Sequence, residues 1–384
     1  MSDVVIAGVG QTPVGELWNE SLRSLSAKAI LAACRDSGGL KPQAMYIGNL
    51  LAPTVSHQAN LGALIAENLS LEGIEGVTVE AAGASGGSAL HMGYLAISSG
   101  MVDVALVVGV EKYTDLVGAE SESAVSQMLD YDYEAVQGLT PAGQAALLMQ
   151  RYMSIYGVPH SAFAAIPVLA HANAVNNPNA MFRRAISQET YNRAEAVSDP
   201  LNLYDVAPFA DGAAALVLTR SDRLPRDLPH RTVRITGSSV VTDTLALHDR
   251  PDPLGWMAAG FSVERACRQA GILPGDVDLF ECDDAFSINV VLSLEAAGFA
   301  PRGQGWKLAE DGMLGLSGKL PIATMGGHKG RGNPIGAGGV YQAVEAALQL
   351  RGQAGKNQIQ GARRAMLQSL GGPAATAVTH VLEW

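Results

Sequence analysis

The sequence predicts an α/β fold whose core is internally duplicated and carries an inserted loop or cap region. Three observations predict it. Strand and helix patterns alternate along the chain, as an α/β core requires. The alternation recurs: Gly8 and Gly237, and Gly38 and Gly271, close matching elements roughly 230 residues apart, the mark of an internal repeat. Glycine is over-used, with 43 residues against 18 prolines, and it clusters at strand–helix turns where backbone must turn tightly or approach something closely.

Each element can be read in turn. Val4 to Ala7 is a strand ended by Gly8, and about Ser21 to Asp36 is a helix closed by Gly38-Gly39. An apolar segment spans Met45 to Leu51. Val77 to Ala81 reads as a strand running into the small-residue turn Gly83-Ala84-Ser85-Gly86-Gly87, with a helix from about Ser88 to Ser99 and Gly100 after it. Val102 to Val110 reads as a fully buried strand, and the strand–helix–strand rhythm predicts a largely parallel core. The second half repeats the series: a strand at Val233 to Thr236 before Gly237, a helix from about Gly255 to Ala270, and strands at Val277 to Glu281, Ala365 to Leu370 and Thr376 to Leu382. A glycine-rich run, Gly326 to Gly339, precedes a helix to about Leu350. The predicted division is residues 1–111, an insertion at 112–232, and residues 233–384. The insertion begins acidic, holds helical patterns near Thr140 to Tyr156 and Ser161 to Asn176, and returns as a core strand at Ala213 to Leu218. Such an elaboration caps a ligand cleft or forms an oligomer contact.

Composition bounds the partners. The 384 residues carry 26 Lys and Arg against 37 Asp and Glu, a net charge of −11, which argues against nucleic acid and anionic membrane. Cys34, Cys267 and Cys282 have no regular spacing, which excludes a disulfide framework or a cysteine-built zinc site, and a reducing cytoplasm is the simplest compartment. No basic leader or long apolar segment is read, and the histidines and acids show no metal-ligand spacing.

Three segments could carry chemistry. Gly83 to Gly87 fits G-x-S-x-G, which would make Ser85 a nucleophile if Asp283 or Asp284 and His328 or His380 completed a triad. The plainer reading is a helix start with free amides. The glycine run contains Lys329 and Arg331 but lacks the P-loop spacing, and Gly8-Val9-Gly10 fails as a dinucleotide fingerprint because Pro13 stands where the third glycine belongs. Glu281-Cys282-Asp283-Asp284-Ala285-Phe286 ends a strand. There, Asp283 could serve as a general base and Asp284 could cap the next helix.

In this order, on a duplicated core, the segments resemble the thiolase family, closest to its sterol-carrier-protein and archaeal types, over nearly the whole chain. Val79 to Ala82 with Ala84 to Gly87 is similar to the family's nucleophile segment. Val107 to Lys112, Asp211 to Ala214, Gly332 to Gly339 and Gly371-Gly372 are similar to segments that follow it. The resemblance implies the thiolase fold, an α/β/α/β/α core. It also puts Gly83 where the family has its acyl-accepting cysteine, Asp283 where it has the H-D-x-F histidine, and Asn333 where it has the G-H-P histidine.

A covalent acyl-enzyme at Gly83 is therefore excluded. Cys282 alternates onto the opposite face from Asp283. What the resemblance leaves is a glycine-lined pocket for a CoA thioester as substrate, with no covalently bound cofactor. Gly83, Ser85, Gly332, Gly336, Gly371 and Gly372 would line it, and Asn333 with amides near Gly372 would hold the thioester oxygen. Retro-aldol C–C cleavage or formation fits this equipment, with Asp283 as base and Tyr341 and His328 as proton donors. The alternatives are an inactive acyl-CoA-binding or scaffolding subunit and, against the internal duplication, the serine hydrolase. The resemblance also implies a homodimer and a small OB-fold, zinc-ribbon partner protein.

Overall fold

The computed structural model describes residues 3–384. The first half runs β1 (Val4–Gln11), α1 (Leu22–Asp36), β2 (Ala44–Gly48), α2 (Leu61–Asn68), β3 (Glu75–Val79), α3 (Ser85–Ser99) and β4 (Val104–Glu111). The insertion holds α4 (Pro141–Tyr156) and α5 (Ala165–Ala174), and the chain returns as β5 (Gly212–Arg220). The second half runs β6 (Val233–Thr242), α6 (Met257–Ala270), β7 (Leu279–Glu281), α7 (Ser287–Ala296), α8 (Gly338–Arg351), β8 (Arg364–Gly371) and β9 (Thr376–Glu383). Local signals set the ends. Ser21 and Ser24 exchange backbone and hydroxyl hydrogen bonds at the start of α1. Thr140 caps α4 with Pro141 in its first turn.

The strands form one continuous series, β3-β2-β4-β5-β1-β6-β9-β8-β7. Its middle is a seam of two residue pairs, Val5 with Arg234 and Ile6 with Val233. Read outward from that seam, both halves have the same order: β1-β5-β4-β2 on one side and β6-β9-β8-β7 on the other. The duplication reaches single contacts. A Cβ on Gly8 would lie 2.2 Å from the Ala33 carbonyl of α1, and one on Gly237 would lie 2.2 Å from the Ala266 carbonyl of α6. Both glycines exist because helix and strand backbones touch there.

The expectation of a largely parallel core is corrected. Only β2–β3, β2–β4 and β7–β8 are parallel; β4–β5, β5–β1, β1–β6, β6–β9 and β9–β8 are antiparallel. The apolar run in β4 reports burial on both faces, and layering supplies that without parallel neighbours. Val104, Leu106 and Val108 pack under α1 and α2, while Ala105 and Val107 face the cluster of α3 and α8. In β8, Ala365 and Leu367 face that same central cluster and Met366 faces α6 and α7. The result is the α/β/α/β/α stack, with α3 and α8 as the middle layer. These two helices meet glycine to glycine: a Cβ on Gly339 would lie 2.4 Å from the Gly87 amide. That close approach brings the N-termini of α3 and α8 to one place, beside the ends of β7 and β8.

Candidate functional site

A narrow cavity of about 70 Å³ lies at this junction, and Gly83, Asp283, Asn289, His328, Asn333 and Gly372 are among its lining residues. Asp283 stands two residues after the end of β7. Its Oδ1 accepts from the Ala285 amide at 3.0 Å and from Asn289 Nδ2 at 3.3 Å, and its Oδ2 is 3.9 Å from His328 Nδ1. Burial pushes the Asp283 carboxyl above its usual range, the nearby His328 opposes this, and the Asp284 carboxylate adds to it. His328 sits in a one-turn π-helical segment, Gly327–Arg331. Burial pulls its pKa down, and neither ring nitrogen has a hydrogen-bond partner among the described residues. Asp284 does not point into the cavity. It accepts from the amides of His328 at 2.6 Å and Lys329 at 3.3 Å, so it fixes the loop that presents the imidazole. This replaces the helix-capping role expected for it.

Asn333 is pinned by its backbone. Its amide donates to the Pro208 carbonyl at 3.1 Å, and its own carbonyl accepts from the Tyr113 hydroxyl at 2.7 Å. Its side-chain Oδ1 is buried without a partner among the described residues, so the side-chain amide is left for a ligand. Gly83 contributes backbone only. A Cβ there would stand 2.5 Å from the Leu370 carbonyl, so the site has no room for a side chain without a backbone shift. Ala82 just before it has φ 51°, the left-handed region that an alanine rarely adopts.

Several expected site residues are elsewhere. The Ser85 hydroxyl donates to the Ala82 carbonyl at 2.6 Å and accepts from the Ala81 amide at 2.9 Å, so it is consumed in knitting the turn. His380 lies against the Gly87 carbonyl and Ser238 Oγ, each at 3.0 Å, and no triad surrounds Ser85. Tyr341 is fully buried behind the site. Its hydroxyl donates to the Thr12 carbonyl at 3.1 Å and lies 3.1 Å from Thr12 Oγ1, with the Arg331 guanidinium over its ring, so it is no proton donor to this cavity. Gly332, Gly336 and Gly371 back the lining rather than form it. Cβ atoms there would meet Val14 Cγ1 at 2.7 Å, Glu111 Oε2 at 2.6 Å and the Ala81 carbonyl at 2.4 Å. Cys282 is buried away from the cavity, and burial pushes its thiol well up.

A wider groove of about 640 Å³ adjoins the narrow cavity, and Glu122, Val206, Ala207 and Phe209 line both. Its walls include Phe182, Leu203 and Tyr204, with Arg184 and Lys329 supplying positive charge. The Lys329 ammonium donates to the carbonyls of Tyr204 at 3.1 Å and Asp205 at 2.7 Å; burial pulls its pKa down to about 8. Sequence reading missed Asn289, Phe209 and Glu122. Asn289 was findable as the residue six after Asp283, on the first turn of α7. Glu122 was not, because in the sequence it belongs to a solvated-looking acidic run.

Fold and site together define a doubled five-layer α/β protein that converges ionisable and amide side chains from its second half on a backbone turn from its first. Residues 4–222 match the thiolase N-terminal domain, and residues 239–384 match the thiolase C-terminal domain-like family. The chain belongs to the thiolase family. It is 40% identical over 383 residues, 99% of each chain, to an acetyl-CoA acetyltransferase of Methanothermobacter thermautotrophicus. It is 32% identical over 375 residues to the benzoylsuccinyl-CoA thiolase subunit BbsB of Thauera aromatica, covering 96% of this chain and 94% of that one. Among solved structures, an Ltp2-ChsH2(DUF35) aldolase superposes with a TM-score of 0.84 at 26% identity, over 98% of this chain and 97% of its own.

Proposed function

We propose that the protein cleaves or forms a carbon–carbon bond on a CoA thioester by retro-aldol chemistry, without an acyl-enzyme. One observation carries this reading: Asp283, His328 and Asn333 converge on a cavity where the first-half turn contributes only the side-chain-free Gly83. A nucleophile is missing, while a base and a carbonyl-binding amide are present. The wider groove, apolar with Arg184 and Lys329, suits the pantetheine arm and phosphates of CoA. In the narrow cavity Asp283 takes the β-hydroxyl proton of a β-hydroxyacyl thioester. The Cα–Cβ pair then flows into a thioester enolate, and the β-carbon leaves as a carbonyl. Asn333 Nδ2 donates to the enolate oxygen, assisted by an amide near Gly372. His328, neutral and unpaired, is placed to relay the proton from Asp283. The likeness to an aldolase assembled with a DUF35 partner supports this reading and the need for a small OB-fold, zinc-ribbon partner. A homodimer is part of the same proposal.

The test is incubation of the purified protein, alone and with its partner, with β-hydroxyacyl-CoA esters. A carbonyl product and a shorter acyl-CoA should appear by mass spectrometry. Asp283→Asn should slow their release at least about 100-fold, and undiminished turnover would remove Asp283 as the base. CoA binding without turnover under every condition would instead make the protein an acyl-CoA-binding subunit.

A further inference from the structure

Retro-aldol cleavage needs a second proton step, because the thioester enolate must be protonated at Cα, and Asp283 is occupied with the hydroxyl proton. We propose that Glu122 is the acid that returns a proton to the α-carbon of the enolate. This rests on the retro-aldol reading and deepens it. Glu122 lies on the short helix Ala119–Val125 of the insertion, whose Ser121, Ala124 and Val125 are buried and anchor it. It lines the narrow cavity together with Asp283 and also lines the wide groove, which Asp283 does not. A thioester arm entering through the groove therefore meets Glu122 before it reaches Asp283. Along the substrate that order is thioester, Cα, Cβ and hydroxyl, so the carboxyl at the junction faces Cα when Asp283 faces the hydroxyl.

The other observation is what Glu122 lacks. Its carboxylate makes no hydrogen bond or ion pair with any described residue, although it is half-buried. The structural carboxylate of Asp211 is saturated by contrast: it accepts from the amides of Leu17, Tyr113 and Thr114, at 3.1, 2.8 and 3.0 Å, and from the Thr114 hydroxyl at 2.7 Å. Burial without a partner raises the Glu122 carboxyl, which favours its protonated form, and its charge is felt by Tyr113, whose hydroxyl holds the Asn333 carbonyl. The step balances. The hydroxyl proton goes to Asp283, the Cα–Cβ bond breaks, the β-carbonyl and the enolate form, and the Glu122 proton becomes the new Cα–H. Asp283 ends one proton richer and Glu122 one poorer, and solvent exchange resets both without an added reactant.

The experiment is exchange of the α-hydrogens of acetyl-CoA and propionyl-CoA in D2O, followed by proton NMR with the intact protein and its partner. Exchange is the reverse of the protonation alone and does not use the hydroxyl base. Glu122→Gln should slow it about 100-fold or more, Glu122→Asp should restore part of the rate, and Glu120→Gln, which alters an exposed acid on the same helix, should exchange as the wild type does. A Glu122→Gln protein that exchanges as wild type overturns the assignment, as does an equal loss of exchange in Glu120→Gln. Wild-type protein that neither exchanges nor cleaves overturns the retro-aldol reading itself. Urea midpoints keep the variants interpretable: removing an unpaired carboxylate should leave the Glu122→Gln midpoint at or above that of the wild type.

Discussion

The two halves of the doubled fold place a polar loop at the same point, and the two loops are finished differently. In the first half, Asn49 follows β2 and Glu111 ends β4. Asn49 Nδ2 donates to the Val110 carbonyl at 2.7 Å and to Glu111 Oε1 at 2.8 Å, and its Oδ1 accepts from the Ala52 amide at 3.0 Å. Glu111 accepts in addition from the amides of Leu50, Leu51 and Gly336 at 3.0, 3.0 and 3.1 Å. In the second half, Asp283 follows β7, while His328 and Asn333 reach the same cavity with buried polar atoms left unpaired. Buried polar groups without partners cost about 1–3 kcal/mol each. The saturated loop returns that cost to stability, whereas the unsaturated one holds it open for a ligand.

Two asparagines offer the sharpest way to break this comparison. On the proposed retro-aldol reading, Asn333→Ala removes the donor to the thioester oxygen. Turnover of β-hydroxyacyl-CoA should fall roughly 100- to 1,000-fold, with the urea midpoint nearly unchanged. Asn49→Ala should do the reverse. It strands the Val110 carbonyl, one Glu111 lone pair and the Ala52 amide, so unfolding in urea should show a loss of roughly 2–4 kcal/mol, with turnover per folded molecule within a few-fold of wild type. If Asn49→Ala proved silent for stability and damaging to turnover, the two loops would not be divided in this way.

The sequence carried the fold further than it carried the site. Apolar runs and glycine turns located nearly every core strand, and the Gly8/Gly237 correspondence located the duplication. Strand direction was not legible, because β4 between two helix layers has the same all-apolar run as a strand between parallel neighbours. Asp283, Asn333, His328 and Gly83 were legible because they depart from or extend a recognisable segment. Tyr341 misled because α8 is buried on almost every side, so its helical position did not reveal which way the phenol pointed. Glu122 was invisible for the opposite reason: an acidic residue in an acidic run looks solvated until the fold closes a cavity around it.

The smallest expected effect concerns the saturated loop and pH. Burial, the dominant influence, pushes the Glu111 carboxyl up to about 7 despite the amides of Leu51, Leu50 and Gly336 and the Asn49 side chain, which favour its ionised form. A carboxyl whose folded pKa lies above its unfolded value of 4.5 contributes stability that is fully present below about pH 4.5 and lost as pH rises through 7. Glu111→Gln removes the titration and keeps one carbonyl acceptor. The unfolding free energy of wild type minus that of Glu111→Gln should therefore fall across pH 4.5 to 7, by up to about 3 kcal/mol, and then level off. Urea unfolding of both proteins at a series of pH values measures it. A flat difference would mean that the four donors around Glu111 outweigh its burial, leaving it ionised throughout the range; the first-half loop would then be held by a fixed charge as well as by its hydrogen bonds.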